Sequence, residues 1–585
     1  MGPESSPHRF GGKLTIVLCL ALIFSAGLLP RLYSAWTLGW NWDGPDSFTL
    51  VNFDEGGSCR AALQGFDYSP FIGYQTIAIA SVLGYPPPAG ITGDMAQVKR
   101  YCHSSGHLRV ARVYSAVSGA LTPILLALIS LCLWPSRPRV ALTAAALLAL
   151  SGFHISQSHS GTVDAPSTFF IYLFLTAAIV AASGYFGRWF RYGCWLLLPL
   201  LLIFAVWTKY WVFALLAVTA LLPLACWQWF ARGWLLSKLL LACFVLVLAF
   251  TCVTNFDFPA TAYLLLVLVW LLVPWRQLDW WARILWLLLP VVLLVLAVQG
   301  PVIDYVSGTL EGRFGSGYGA IGWHKWLRNL LNVPLLLMLG LGLPALLMLP
   351  LGIRALWRAP PAPRILCCGL PLLAFALFML FPVAVTYYRH YLPLLPLAAL
   401  LAAVGYWSLP GRRPWRWWPL FLLWPALLAF DLEMDYHRDP RIELRQWYAQ
   451  AQPNDVLMTY YVNPPTVPGL RQGLFKASYA RNDGRVLRQA RYLILSENWY
   501  DTAFANELNG PLVGDLNKLI KTRPEDAAFY RAALAGELNY LHSEKVIEVD
   551  NFMPELSLHK RLYGTFQLFV GDIHILRIDT DRQGL

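Results

Sequence analysis

Long apolar runs alternate with short basic breaks along the first 430 residues of the chain. The apolar chain between two breaks is long enough for two helical crossings of a bilayer, at about 20 residues each. Because Lys and Arg collect in cytoplasmic loops, all breaks are assigned to that side. The pattern predicts six helical hairpins and a last span at residues 420–430, about 13 membrane helices in all. The breaks lie at residues 8–13, 135–139, 184–191, 227–238, 275–283, 354–364 and 411–416.

Two parts of this topology have an alternative interpretation, the short hairpins and the first span. The hairpins at 195–227 and 239–274 are short, so one long tilted helix in each is the alternative to two spans. The first span, after basic residue Lys13, resembles a signal peptide but has no clear small-residue cleavage site. It is therefore retained as a helix, which places the N-terminus in the cytoplasm and the tail outside.

Two segments are not predicted to cross the membrane. The first outer loop, residues 34–107, contains an apolar run at 71–83 that is too short for a span and is typical of a helix lying in the membrane interface. The tail, residues 431–585, alternates helical patches with strand-like runs, so it is predicted to be a small α/β domain. Helices are expected at 441–450 and 525–538, and strands at 455–462, 491–496, 545–549 and 573–578.

The composition supports a membrane protein. The chain of 585 residues is 57% hydrophobic and 13% charged, with a mean hydropathy of +0.50, whereas soluble domains are about 25% charged. The net charge of +12 would suggest nucleic acid in a soluble protein, but here the positive charge lies in the breaks. We therefore predict a mainly α, polytopic bundle in the plasma or inner membrane with a C-terminal extracytoplasmic α/β domain, and no nucleic-acid partner.

The conspicuous ionisable side chains between the basic breaks of the membrane part fall on the predicted outer face. Charges at this depth are costly and usually mark function. They are Asp54, Glu55, Arg109, Arg112, His159, Asp164, Lys209, Asp257, Arg313, His324, Lys325, Arg328, Arg389 and His390. Their convergence predicts a pocket that opens outward beside the lipid.

A pocket with both charge types suits a lipid-linked phosphate substrate. Carboxylates can remove a hydroxyl proton as a bond forms, and cations neutralise a phosphate leaving group. Structural explanations stay open for several residues. Arg109 and Arg112 could snorkel at a helix end, as could Lys209 at a hairpin tip, and Asp164 could cap a helix.

The order of these motifs resembles the GT-C superfamily of glycosyltransferases, in particular bacterial enzymes related to protein O-mannosyltransferases and lipid A aminoarabinose transferase. The resemblance covers about residues 14–430. The motifs that carry it are the acidic pair in Phe53-Asp54-Glu55, the Arg-containing helix opening at 109–119, Asp164-Ala165-Pro166 with the later Thr208-Lys209-Tyr210, and the segment Tyr388-Arg389-His390-Tyr391-Leu392-Pro393.

The resemblance implies an inverting transfer of a sugar from a polyprenyl-phosphate donor to an extracytoplasmic acceptor. Asp54 would be the catalytic base, with Glu55 in the same acidic pair and Asp164 shaping or polarising the site. The donor phosphate would lie near Lys209 and Arg389, and we add Arg112 and Tyr388 to that phosphate-binding set. The acceptor could be protein, lipid or polysaccharide.

A divalent metal and a disulfide are two further predictions about the outer face. Some members of the superfamily need a metal, which Asp54, Glu55, His159 and Asp164 could hold, but their spacing does not require one. Cys59 and Cys102 are the cysteines of the long first loop, which faces an oxidising compartment. We predict that they form a disulfide, with two free thiols as the alternative.

Two other functions compete with an enzyme. A transporter or flippase would have internal repeats and charges near the bilayer midplane, and the chain has neither. An assembly factor acting through its tail would need only one or two anchoring spans. A polyprenyl-phosphate-dependent glycosyltransferase is therefore the leading hypothesis.

Overall fold

A computed structural model gives the three-dimensional structure of the protein. It describes residues 10–52, 54–65, 69–183, 185–209, 323–358, 388–411, 413–465, 467–477, 489–501, 503–504, 524–563 and 571–579, with isolated residues 368, 369, 371, 372, 375 and 487. The helices of the membrane part are α1 Phe10–Thr37, α2 Gly57–Gln64, α3 Phe71–Val82, α4 Met95–Cys102, α5 Ser105–Leu133, α6 Pro138–Ala149, α7 Gly152–His159, α8 Asp164–Ala182, α9 Arg188–Thr208, α10 Trp323–Leu341, α11 Leu343–Arg358, α12 Leu395–Tyr406 and α13 Arg413–His437. Two 3-10 helices occupy Ile91–Gly93 and Tyr388–Leu394.

Several described helices can cross a bilayer. Three are long and apolar enough by themselves, and five crossings result if each of two bent helix pairs counts as one. The predicted basic breaks at 135–139 and 184–191 separate α5 from α6 and α8 from α9. The count of 13 spans stays a prediction, because residues 210–322, which hold several of them, lie outside the described residues.

The crossings differ in how much protein surrounds them. The apolar window of α8 is 89% buried and that of α5 is 72% buried, whereas that of α1 is only 11% buried. Helices α5 and α8 therefore form the centre of the bundle, and α1 presents its apolar side chains to the surrounding lipid.

The sharpest bend in the membrane part joins α10 to α11, at 116°. Gly342 lies at this bend with φ of +79°, a conformation that glycine adopts without a steric penalty. A Cβ atom at this position would lie 2.6 Å from the Trp424 ring. The bend therefore needs glycine both for its backbone angle and for its close approach to α13.

The first outer loop folds into short helices held by a disulfide. Cys59 of α2 and Cys102 of α4 are bonded, with their Cα atoms 5.7 Å apart. The predicted interfacial helix is α3, which buries Phe71 and Ile72 but exposes Val82. Because α1 extends to Thr37 and α5 begins at Ser105, the loop is slightly shorter than the predicted 34–107.

The tail contains a five-stranded mixed sheet with strand order β2-β1-β3-β5-β4. Strands β1 and β3 are parallel, and β5 is antiparallel to both β3 and β4. The strands are β1 Asp455–Met458, β2 Arg471–Leu474, β3 Tyr492–Ser496, β4 Leu541–Ile547 and β5 Ile573–Ile578, and the helices are α14 Pro440–Ala451, α15 Pro524–Leu534 and α16 Pro554–Tyr563. The predicted last span, residues 420–430, lies within α13, which begins at Arg413 and continues without interruption to His437.

The tail docks on the ends of membrane helices α11 and α13. The backbone N–H of Met553 donates to Asp431, and Met553 and Leu556 lie in the hydrophobic core of the membrane part. Glu555 accepts hydrogen bonds from the Leu343 backbone, at the start of α11, and from the Trp424 indole. The tail therefore contacts the bend between α10 and α11 and holds it through Glu555.

A second contact joins the tail to the first outer loop. The Arg445 guanidinium donates to the Asp43 carboxylate at 2.7 Å and to the Thr49 hydroxyl at 3.2 Å. The Asn463 amide donates to the carbonyl oxygen of Leu50 at 3.0 Å. The loop that leads to Asp54 is consequently held by tail residues far away in the chain.

Candidate active site

Asp54 and Arg389 form an ion pair at the end of the membrane part that is predicted to face outward. Asp54 lies in the turn before α2, whereas Arg389 belongs to the 3-10 helix Tyr388–Leu394, which continues directly into α12. The two side chains are 29% and 22% exposed, respectively. Both groups are partly accessible, so they can contact a substrate while they hold each other.

A second ion pair, between Asp164 and Lys209, lies beside the first. Asp164 is the first residue of α8, and Lys209 follows the last residue of α9. The Lys209 ammonium also interacts electrostatically with Arg389 and Asp54. The structure therefore brings together two carboxylates and two cations from four separate parts of the chain.

Glu55 faces away from this cluster and pairs with Arg112 of α5. Nε and one terminal nitrogen of Arg112 donate to the two Glu55 oxygens at 2.7 and 2.8 Å, and its other terminal nitrogen donates to the Leu38 carbonyl at 2.6 Å. The Gly161 backbone N–H adds a hydrogen bond of 2.9 Å to Glu55. Both side chains of the pair are at most 2% exposed. Arg112 therefore does not snorkel to the membrane surface.

The charge environment of Glu55 favours its ionised form. Burial by itself raises the pKa of this carboxyl group, but the Arg112 guanidinium and the hydrogen bond from Gly161 lower the pKa below its ordinary value. Both oxygens of Glu55 accept hydrogen bonds and the side chain is 1% exposed, so a substrate proton cannot reach this carboxylate. Its contacts join the Asp54 turn to α5 and to the segment between α7 and α8.

His159 belongs to a different group of side chains. Its Nδ1 atom lies 3.1 Å from Glu433 of α13, and Glu433 also accepts a hydrogen bond of 2.7 Å from the Ser34 hydroxyl. Ser34 in turn contacts the His437 ring. This arrangement ties α1, α7 and α13 together, and it leaves His159 engaged with a partner outside the Asp54 cluster.

The four residues considered for a metal do not converge. Asp54 pairs with Arg389, Glu55 with Arg112, Asp164 with Lys209 and His159 with Glu433. Within the described ranges, no group of three or more His, Cys, Asp or Glu side chains could hold a metal ion. The three carboxylates are each neutralised by a protein cation, so they do not fit a divalent ion.

Of the other predicted residues, Arg109 stands apart from the cluster, and several lie outside the part of the chain that the structure describes. Tyr388 starts the 3-10 helix that carries Arg389, but its side chain lies outside the described residues, as do Asp257 and Arg313. The side chain of Arg109 stacks on Trp36 and Trp40. Sequence reasoning missed Glu433, because the last span was expected to end before it. The signal that could have found it is a carboxylate that closely follows the apolar run of α13, in the same helix.

No protein-family model matches the chain, and no curated protein sequence matches it. Its fold is similar to that of archaeal oligosaccharyltransferase AglB from Archaeoglobus fulgidus in complex with an inhibitory peptide and a dolichol-phosphate, at 12% identity and a TM-score of 0.51, over 97% of this chain and 89% of that chain. A structure of the A. fulgidus oligosaccharyltransferase tethered with an acceptor peptide gives the same values. The structure of ArnT from Cupriavidus metallidurans bound to undecaprenyl phosphate is 16% identical, with a TM-score of 0.40, over 94% of this chain and 85% of that chain. The likeness to AglB confirms the GT-C fold.

Proposed function

We propose that the protein is a membrane glycosyltransferase that moves a sugar from a polyprenyl-phosphate donor to an acceptor outside the cytoplasm. The proposal names the class of donor and the type of reaction. The observation that carries it is the cluster of Asp54, Arg389, Asp164 and Lys209. A partly exposed carboxylate beside two cations at the outer end of a membrane bundle suits acid–base chemistry next to a lipid phosphate.

In the proposed reaction, Asp54 is the general base. Its carboxylate takes the proton of an acceptor O–H or N–H group while that oxygen or nitrogen attacks the anomeric carbon of the donor sugar. The bond between this carbon and the phosphate oxygen breaks, and polyprenyl phosphate leaves. One new glycosidic bond replaces one broken bond, and the anomeric configuration inverts.

The two cations would stabilise the charge that develops on the leaving phosphate. A guanidinium has five N–H donors, so Arg389 can keep its contact with Asp54 and still bind a phosphate oxygen. Lys209 is held by Asp164, which fixes the ammonium group beside Arg389. AglB, whose fold is similar, was solved with a dolichol-phosphate, which agrees with a lipid phosphate as the donor group.

The contacts of Glu55, Arg112 and Asp164 support structural roles for these three residues. Glu55 and Arg112 would hold the Asp54 turn against α5, and Asp164 would orient Lys209. The described residues do not fit a metal, so every step is assigned to side chains of the chain itself.

The direct test is transfer of a labelled sugar by the purified full-length protein. A radiolabelled polyprenyl-phosphate sugar and an envelope extract as acceptor are incubated with wild type and with Asp54→Asn. Wild type should transfer the label, and Asp54→Asn should be slower by about 10²–10⁴-fold, the usual contribution of a general base. Equal rates for the two proteins would remove Asp54 from the reaction.

Transport of a lipid-linked substrate is the second candidate, because of the bend between α10 and α11. Discontinuous membrane helices are common around the binding sites of transporters. In this protein, however, the backbone N–H of Leu343 at the bend already donates to Glu555 of the tail, so a substrate cannot use that donor. If a labelled lipid-linked substrate moved across the membrane of proteoliposomes and no sugar was transferred, transport would be favoured over catalysis.

A further inference from the structure

Arg109 differs from three other cations that the structure describes, Arg112, Lys209 and Arg389, each of which pairs with a carboxylate. Its guanidinium carbon lies 4.4 Å from the Trp36 ring centroid and 4.1 Å from the Trp40 ring centroid. Its Nε atom is buried without a hydrogen-bond partner. Across the part of the chain that the structure describes, Arg109 forms no ion pair and no hydrogen bond through its side chain. Only aromatic ring faces compensate its charge.

Backbone and side-chain contacts hold both Trp40 and the helix of Arg109 in place. Trp40 forms an isolated β-bridge with Phe48, and the two rings lie 4.9 Å apart. Gly39, next to Trp40 and outside the bridge, faces Thr49: its φ is +79°, and a Cβ atom there would lie 2.1 Å from the Thr49 carbonyl oxygen. One turn further along α5, the ion pair of Arg112 with Glu55 fixes the helix that carries Arg109.

The stack lies where a bilayer would place its outer phosphate groups. Trp36 is in the last turn of α1, the helix whose apolar window is only 11% buried by protein. Trp36 and Tyr33 are 53% and 63% exposed, and such amphipathic rings collect at the level of lipid head groups. Arg109 therefore lies at the edge of the protein beside lipid.

We propose that Arg109, Trp36 and Trp40 form a binding site for the phosphate group of a bilayer phospholipid in the outer leaflet. A snorkelling arginine extends into water and keeps its hydration, whereas this guanidinium has lost part of its hydration to two rings. Its terminal nitrogens are not among the buried, unpartnered atoms, so they are accessible to an anion. Planar guanidinium groups bind phosphate oxygens through two parallel hydrogen bonds.

This site differs from the proposed donor site in its charge balance. Lys209 and Arg389 are each paired with a carboxylate, but Arg109 has no acidic partner among the described residues. The inference does not depend on catalysis, and it can be tested by binding alone.

The test is lipid binding to the purified full-length protein in detergent. Dioleoylphosphatidylglycerol is titrated, and bound lipid is counted by native mass spectrometry. Arg109→Gln should raise the apparent Kd of the tightest-bound lipid about five-fold, the effect of one basic residue at a membrane surface. Trp36→Leu, at an exposed position where folding is not at risk, should weaken binding less, and Arg109→Lys should lie between wild type and Arg109→Gln.

The matched control is Arg188→Gln. Arg188 is exposed and stacks on a single ring, that of Trp189, at 5.3 Å, in one of the basic breaks. The Arg188→Gln protein should bind the lipid as wild type does. Equal weakening by both substitutions, unchanged binding by Arg109→Gln and Trp36→Leu, or equal binding of dioleoylglycerol, which has no phosphate, would each overturn the proposal. Displacement of the lipid by low millimolar inorganic phosphate would assign a free anion instead.

Discussion

Two acidic residues that are neighbours in the chain have opposite environments in this protein. Glu55 is 1% exposed and pairs with Arg112 in the interior, whereas Asp54 is 29% exposed and pairs with Arg389 at the edge of the cluster. Both form ion pairs, so the pairing by itself does not identify a catalytic group. Burial separates them, because a carboxylate without access to substrate cannot act as a base.

The energetics of the two pairs differ for the same reason. Removing one partner from a buried pair leaves an uncompensated charge in a medium of low polarity. Removing one partner from a partly exposed pair leaves a charge that water can solvate. Stability and activity should therefore respond in opposite ways to substitutions at 54 and 55.

The largest expected effect on stability is that of Glu55→Gln. It leaves Arg112 buried without a counter-charge, which should lower the free energy of unfolding by about 3–5 kcal/mol. Thermal unfolding in detergent, followed by tryptophan fluorescence, measures this change. Asp54→Asn is the control and should change stability by at most about 1 kcal/mol.

The double substitution Glu55→Gln with Arg112→Met sharpens this result. It removes both charges, so it should recover part of the stability lost by Glu55→Gln alone. Equal losses of stability for Asp54→Asn and Glu55→Gln would contradict the division of roles between the two carboxylates.

The disulfide supports the same turn from its other side. Gly56 has φ of +78°, and a Cβ atom on it would lie 2.8 Å from the carbonyl oxygen of Cys102, so α2 and α4 approach closely where Cys59 and Cys102 are bonded. Replacing both cysteines by serine should cost about 2–4 kcal/mol and should also slow transfer, because the Asp54 turn loosens. The control is Cys19→Ser, at a free cysteine of α1. Unchanged unfolding of the double-serine protein would make the bond dispensable.

Substitutions of Arg389 and Lys209 test the binding of polyprenyl phosphate at the partly exposed cluster that contains Asp54. Arg389→Ala should weaken the binding of polyprenyl phosphate by about 10–100-fold, the value of about 1.5–3 kcal/mol for a hydrogen bond to a charged group. Lys209→Ala should have a similar effect and should also destabilise the fold, because it leaves Asp164 buried and unpaired. Calorimetric titration gives both affinities.

The control for these two variants is Lys476→Ala, which removes an exposed cation of the tail. It should bind polyprenyl phosphate with the affinity of wild type. If Arg389→Ala and Lys209→Ala also bound it with that affinity, the phosphate would have to lie elsewhere.

The sequence predicts the class of the fold, which the similarity to AglB supports, whereas the side of the membrane on which the site lies stays a prediction. Alternation of apolar runs and basic breaks depends only on hydropathy, and the disulfide depends only on the loop that contains its two cysteines. The sequence does not separate the roles of Asp54 and Glu55. The side chains of these neighbours point in different directions, and those directions depend on how the turn packs on α5. Glu433 was missed because α13 continues beyond its apolar part.

Short edge elements of the tail were also difficult to predict. Strand β2, Arg471–Leu474, has four residues and lies at an edge of the sheet, so it shows no alternation of buried and exposed positions. Strand β4 was expected at 545–549 but occupies Leu541–Ile547, with an irregularity between Ser543 and Lys545. Edge strands are set by pairing with their neighbours, which local hydropathy does not report.

A third carboxylate, Glu497 of the tail, extends the comparison to a site with acidic neighbours. Glu497 accepts a hydrogen bond from the Asp572 backbone at 2.7 Å. Burial and the charges of Asp501 and Asp572 raise its pKa to about 8. The folded protein therefore binds a proton that the unfolded chain releases near pH 4.5, so this contribution to stability is present below about pH 4.5 and is lost as the pH rises to about 8.

Glu497→Gln should consequently flatten the decline in the unfolding temperature of the tail between these two pH values. The matched control is Glu443→Gln, at a half-exposed carboxylate paired with Lys545, which should keep the pH dependence of wild type. Thermal unfolding across a pH series measures both slopes. An unchanged slope in Glu497→Gln would mean that this carboxyl group titrates normally. Acidic neighbours would then have little effect on a tail carboxylate, in contrast to the strong effect that we attribute to Arg112 on Glu55.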